Sequence, residues 1–360
     1  MSDITQPTPL EPDDTQPVRV PEEQVPIAET QPVDTPARPV GQSGPPINGG
    51  DTIIYTKGLS KHFRNEYAVR DLNLNVPPGK IYGFIGPSGS GKTTTIRLLT
   101  GFYAPSEGEV FVFDRPPTKF SQSMRAKIGY MPQLFVLYPH LSVWENLNFS
   151  SSIYGMKLNR GKRLKEVLDF VELYEHRHKL ARNISGGMQR RLSLAATLVH
   201  NPELIFLDEP TAGVDPVLRE RFWEHFRDLR EQGRTLFVTT QYVGEAAYCD
   251  LIGVMNEGSL IMVDTPDRLR YKAYGGEVVD LRTVEPIDYL LENRLYHLPD
   301  VYRVTQTGEN SVRLIVEEAS TSMPQIMDLC RDENIAVESM EEYLPPFDDV
   351  FVRLVKKERE

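Results

Sequence analysis

An α/β fold is predicted for this chain. It has a parallel core sheet, an antiparallel β layer, a helical subdomain and a small α+β domain of ferredoxin-like pattern at the end. Three observations carry the prediction. Residues 81–86, IYGFIG, form an apolar strand that leads through a glycine-rich turn into a helix, TTIRLLT, ended by Gly101. Residues 204–207, LIFL, are consecutive apolar residues, as in a parallel strand buried on both faces, and two acids follow. Beyond Gly275-Gly276 the pattern changes to β-α-β-β-α-β, a split βαβ arrangement.

Taken in order, residues 1–50 hold eleven of the 28 prolines and few large apolar groups. Such a stretch cannot bury enough surface to offset ordering entropy, so disorder is expected. Residues 51–275 form the main domain. TIIYTKGLSKHF, LNLNVPPGK and GEVFVFD are β-rich runs suited to an antiparallel layer. Residues from about 134 to 184 carry helical periodicity, in VWENLNFSSSIYGM and KRLKEVLDFVELY, and form the helical subdomain. Residues 276–360 form the accessory domain. Its last stretch, PPFDDVFVRLVKKE, places Phe347, Val350, Phe351 and Leu354 on one face of a helix, to pack on that domain or on a second copy.

The turn in this frame reads GPSGSGKT: Gly86, Pro87, Ser88, Gly89, Ser90, Gly91, Lys92, Thr93. Gly86, Gly89 and Gly91 lack side chains, so successive N–H groups can converge on phosphate oxygens, aided by the helix start. Lys92 is placed to reach β- and γ-phosphates, Thr93 to offer its hydroxyl to Mg²⁺, and Thr94 to meet the α-phosphate. Asp208 and Glu209 follow LIFL at the carboxyl end of a strand, where open α/β sheets bind ligands. Asp208 is expected to hold Mg²⁺ through a water, and Glu209 to polarise the attacking water. Phosphoryl transfer needs positioning and charge neutralisation more than covalent chemistry, so these residues suffice for a nucleotide hydrolase.

A second anion-ready helix start lies in ISGGMQ, at Ser185, Gly186 and Gly187. It is either an ordinary serine-glycine cap or a phosphate contact for a nucleotide on another copy.

Together these segments resemble the ATP-binding cassette ATPases, over about residues 53–265. GPSGSGKT looks like the Walker A loop, LIFLDEP like Walker B with the catalytic Glu209, and NISGGMQRR like the family signature, with Met188 where glutamine is commoner. The resemblance implies a P-loop cassette that binds ATP and Mg²⁺ between two copies. It further implies that Gln133 ligates the metal and senses a membrane partner, and that Asp215 crosses the dimer interface. Phe63 is implied to stack on adenine, with Tyr67 a weaker candidate. Gln241, in FVTTQ, stands where the family has a histidine that holds the catalytic water. Glutamine can donate a hydrogen bond but cannot become cationic, so slower turnover is expected. Phe135 and Tyr138 are candidates for a groove that receives a membrane subunit, and Trp144 for the core.

The resemblance therefore implies an ATPase subunit of an exporter, with separate permease subunits. The alternatives are a soluble non-transport cassette and a slow regulatory one. No apolar run approaches the roughly 20 residues that span a bilayer. Cys249 and Cys330 lack metal-ligand spacing and suit a reduced, cytoplasmic setting. Net charge is −11, of which six charges fall in residues 1–50, and nothing suggests a nucleic-acid groove.

Overall fold

A computed structural model describes residues 52–134 and 137–359. The acidic, proline-rich stretch 1–50, expected to be disordered, lies outside the described residues, as does Phe135.

The described residues open with a hairpin, β1 (Ile54–Phe63) and β2 (Glu66–Val76). There follow β3 (Ile81–Ile85), α1 (Lys92–Leu99), β4 (Glu107–Val112), the single turn α2 (Gln122–Arg125) and β5 (Ile128–Met131). Three helices come next, α3 (Val143–Ile153), α4 (Gly161–Phe170) and α5 (Gly186–Leu198). The main domain is completed by β6 (Leu204–Asp208), α6 (Pro216–Glu231), β7 (Thr235–Thr240), β8 (Leu251–Asn256), β9 (Ser259–Asp264) and α7 (Pro266–Tyr274).

The six-stranded sheet has the order β5-β6-β7-β3-β8-β9; every pairing is parallel except β8–β9. Both faces of its central strands are buried, and alternate residues feed two cores. Ile205, Leu207, Leu236 and Val238 face the helical side. Phe206, Phe237, Tyr82 and Phe84 face α1 and the antiparallel layer β2-β1-β4. This double burial is why these strands read as continuous apolar runs.

Helix boundaries follow local chemistry. Ser142 and Glu145 form a reciprocal capping box at the start of α3. Asp215 caps α6 and Thr265 caps α7, each followed by proline at the first helical position.

The remaining elements are β10 (Glu277–Thr283), α8 (Tyr289–Tyr296), β11 (Val301–Gly308), β12 (Ser311–Val316), α9 (Ala319–Asp332), β13 (Val337–Glu342) and α10 (Phe347–Arg359). The antiparallel sheet order is β11-β12-β10-β13, and α8 and α9 pack on it around a core of their own. This is the split βαβ pattern read from the sequence.

The last helix differs from expectation. Phe347, Val350 and Leu354 are buried in the core of the main domain, against α7 and the short turn 243–248. Amphipathicity fixes which face of α10 is buried but not what covers it, and the chain returns past its own small domain. Among the described residues, no helix is long and apolar enough to cross a membrane.

Candidate functional site

The site forms where β3, β5 and β6 end. The glycine-rich turn leaves β3 and enters α1 through Gly91, which caps the helix at φ 100°. A side chain there would strike Ala68 O, 2.2 Å from an ideal Cβ, and one at Gly86 would strike Met255 O at 2.3 Å. The backbone therefore bends closely enough to leave an open cradle above it. The wall of the resulting cavity includes Ser88, Gly89, Thr93, Thr94, Gln133 and Glu209.

Lys92 is buried at 4% exposure and lines this cavity. It donates to Gly86 O at 2.9 Å and Pro87 O at 3.0 Å, and lies 3.6 Å from Glu209 Oε1. Burial pulls its pKa down, and the charge of Glu209 opposes that pull. Gln133 donates from Nε2 to Glu209 Oε2 at 2.8 Å. Thr93 donates its hydroxyl to Asp208 Oδ1 at 3.1 Å.

The residues fit a triphosphate with a divalent cation. Asp208 is almost fully buried, yet Oδ2 has no hydrogen-bond partner among the described residues, and neither has Ser90 Oγ in the turn. Buried polar atoms left unsatisfied call for a missing partner. Asp208 and the Thr93 hydroxyl are hard oxygen donors of the kind Mg²⁺ takes, and Mg²⁺ needs only one or two carboxylates when substrate phosphates supply the rest.

Two residues that the sequence reading passed over hold this arrangement. Thr239 pairs with Asp208 across the β6–β7 register and donates its hydroxyl to Asp208 Oδ1 at 2.7 Å. Its carbonyl and hydroxyl oxygens accept from Glu209 N at 3.0 and 3.1 Å. Glu209 sits at φ 47°, a left-handed conformation that costs a non-glycine residue about 1–2 kcal/mol. The second residue is Arg190 of α5, whose guanidinium bonds to the main chain of Glu209. The two threonines of FVTTQ and the arginine pair after ISGGMQ were visible in the sequence. Nothing in their spacing pointed to these partners.

Other predicted residues lie apart from the cavity. Ser185 caps α5, accepting from Met188 N at 3.3 Å, and it is exposed, as is Gly186. Gly187 abuts Leu218 of α6, so the ISGG segment adjoins the helix capped by Asp215, which is also exposed. Gln241 is exposed just after β7. Phe63 is 44% exposed, edge-on to Tyr103 at 5.3 Å. Tyr67 is bonded to Glu107. Tyr138 packs edge-on against Phe149 at 4.7 Å and Trp144 packs on the main core.

Comparison with known proteins yields two family matches. Residues 69–212 match the family described as ABC transporter, and residues 265–355 match the family described as ATP-binding protein DrrA1-3-like, C-terminal domain. The "Probable multidrug ABC transporter ATP-binding protein YbhF" of Escherichia coli is 37% identical over 235 residues, covering 64% of this chain and 40% of that protein. The chain thus spans two fifths of that relative's length. "Nod factor export ATP-binding protein I" of Cupriavidus metallidurans is 33% identical over 231 residues, covering 64% of this chain and 76% of the relative. Among solved structures, the ATP-binding cassette MJ0796, a dimer in a post-hydrolysis state bound to ADP and Pi, is 28% identical with a TM-score of 0.55. That match covers 59% of this chain and 98% of the other.

Proposed function

This chain belongs to the ATP-binding subunits of ABC transporters, and on that premise we propose that it is the Mg²⁺-dependent ATPase of an exporter. In this reading two copies meet head to tail, on the cytoplasmic face of separate permease subunits. The observation that carries the proposal is the convergence of Lys92, Gln133 and Glu209 on one cavity, beside an Asp208 oxygen that is buried and unsatisfied.

The glycine-rich turn and Lys92 hold the triphosphate, and Lys92 exchanges its contacts with Gly86 and Pro87 for phosphate oxygens. Thr93, Gln133 and Asp208 would hold Mg²⁺; when bound, it neutralises charge on the β- and γ-phosphates. Glu209, freed from Lys92 and Gln133, accepts the proton of the attacking water. Gln241 donates its amide toward the γ-phosphate. Ser185, Gly186, Gly187 and Asp215 line the exposed surface offered to the second copy, where Ser185 and the start of α5 meet that copy's nucleotide. Phe63, exposed at the end of β1, stacks on adenine.

Export as the direction is supported by the name of the Nod factor relative. One observation favours a second reading, a slow regulatory subunit: Gln241 occupies the place of the family histidine.

The test is ATP hydrolysis by the purified full chain, with and without Mg²⁺. Activity should require the metal. Lys92→Ala should lose nucleotide binding, and Glu209→Gln should bind ATP but turn it over at least about 10²-fold more slowly. Normal hydrolysis by Glu209→Gln would remove that residue from the mechanism.

A further inference from the structure

Arg190 lies in the second turn of α5 and is 4% exposed. Its guanidinium reaches two loops at once and ends on main-chain carbonyls in both. Nε donates to Pro210 O at 2.6 Å, Nη2 donates to Glu209 O, and Nη1 donates to Gln133 O at 2.8 Å. A guanidinium is planar and carries its N–H donors in a fixed fork, so acceptors bound to it are fixed relative to one another. Burial lowers its pKa, with Glu209 and Asp208 opposing the shift, and an arginine stays cationic against such a pull.

The placement of this fork gives it a consequence. Glu209 and Gln133 are the two residues whose side chains meet at 2.8 Å in the cavity, and Arg190 holds the carbonyl of each. It bonds the carbonyl of a glutamate whose backbone is left-handed, a conformation that persists only where surroundings enforce it. Arg190 also stands about one turn from the start of α5, where Ser185 caps the helix. A helix is stiff over one turn, so a displacement of its start moves the fork.

We infer that Arg190 is a positioning residue: it sets Glu209 and Gln133 through their main-chain carbonyls and carries movement of the exposed start of α5 to them. This rests on the function proposed above, in which the start of α5 meets the nucleotide of a second copy. Nucleotide bound at one site then adjusts the carboxylate of the other. Arg190 bonds main-chain carbonyls and acts through geometry.

The experiment uses the full chain as wild type, Arg190→Lys and Arg190→Ala. Affinity is measured with a fluorescent ATP analogue, hydrolysis across a range of MgATP concentrations, and folding by thermal melting. Arg190→Lys keeps a buried cation and a long stem but not the fork, so it tests geometry even if Arg190→Ala fails to fold. The expected result is unchanged nucleotide affinity in Arg190→Lys, with kcat lowered by about 10²-fold, the scale of an ångström-sized misplacement. The wild type should respond sigmoidally to ATP, and Arg190→Lys hyperbolically. Guanidinium ion added at low concentration should raise kcat in Arg190→Ala and not in wild type. Wild-type kcat and sigmoidicity in Arg190→Lys overturn the inference. So does a loss in which affinity and kcat fall together and guanidinium restores neither. If the wild-type chain itself neither binds nor hydrolyses ATP, the proposed function fails first, and the inference with it.

Discussion

Gln241 follows Thr239 and Thr240 at the end of β7, one strand away from Asp208. Its amide can orient a water or a phosphate oxygen but cannot supply a cation. Gln241→Ala should therefore lower kcat, on the order of 10²-fold for a lost positioning group, while Gln241→His should raise it above wild type. Steady-state hydrolysis of the three proteins checks this, and an alanine variant as fast as wild type removes Gln241 from the site. Much at this scale was legible in the sequence. That Lys92, Thr93, Asp208 and Glu209 come together was legible because each lies at the carboxyl end of a strand or in the turn that follows it. Thr239 and Arg190 were not. Thr239 meets Asp208 through strand register, and Arg190 binds carbonyl oxygens, which every residue carries and no motif records.

Element identity was written in periodicity, and element partnership was not. The apolar runs of β3, β6 and β7 announce burial on both faces, yet nothing in them places β3 between β7 and β8. The β-α-β-β-α-β order was likewise readable, because alternating runs and turn residues mark each boundary. For α10 the sequence supplied the buried face alone, and the structure sets it on α7 and on the turn 243–248 that follows Gln241. Leu354, 3% exposed, fills that contact, whereas Val352 on the same helix is half exposed. Leu354→Ala should cost about 2–5 kcal/mol through lost burial and the cavity left behind. Val352→Ala should be close to neutral. Denaturant unfolding followed by tryptophan fluorescence distinguishes them, since Trp223 lies in the same core. Equal midpoints for the two variants would show that α10 is not held by this face.

For the whole molecule, the arrangement separates two kinds of surface. The cavity gathers the turn, Gln133 and Glu209 within one copy. Ser185, Gly186 and Asp215 stand exposed on neighbouring helix starts, where Ser185 and Asp215 cap their own helices. A helix start exposed in this way attracts phosphate, and in the proposed function a nucleotide held by one copy offers the other a binding site. Trapping this state requires binding without turnover, which Glu209→Gln provides. The decisive measurement is the mass in solution of purified Glu209→Gln, by light scattering, with and without MgATP. One chain is expected without nucleotide and two chains with it. A single chain that holds ATP at saturation would contradict this.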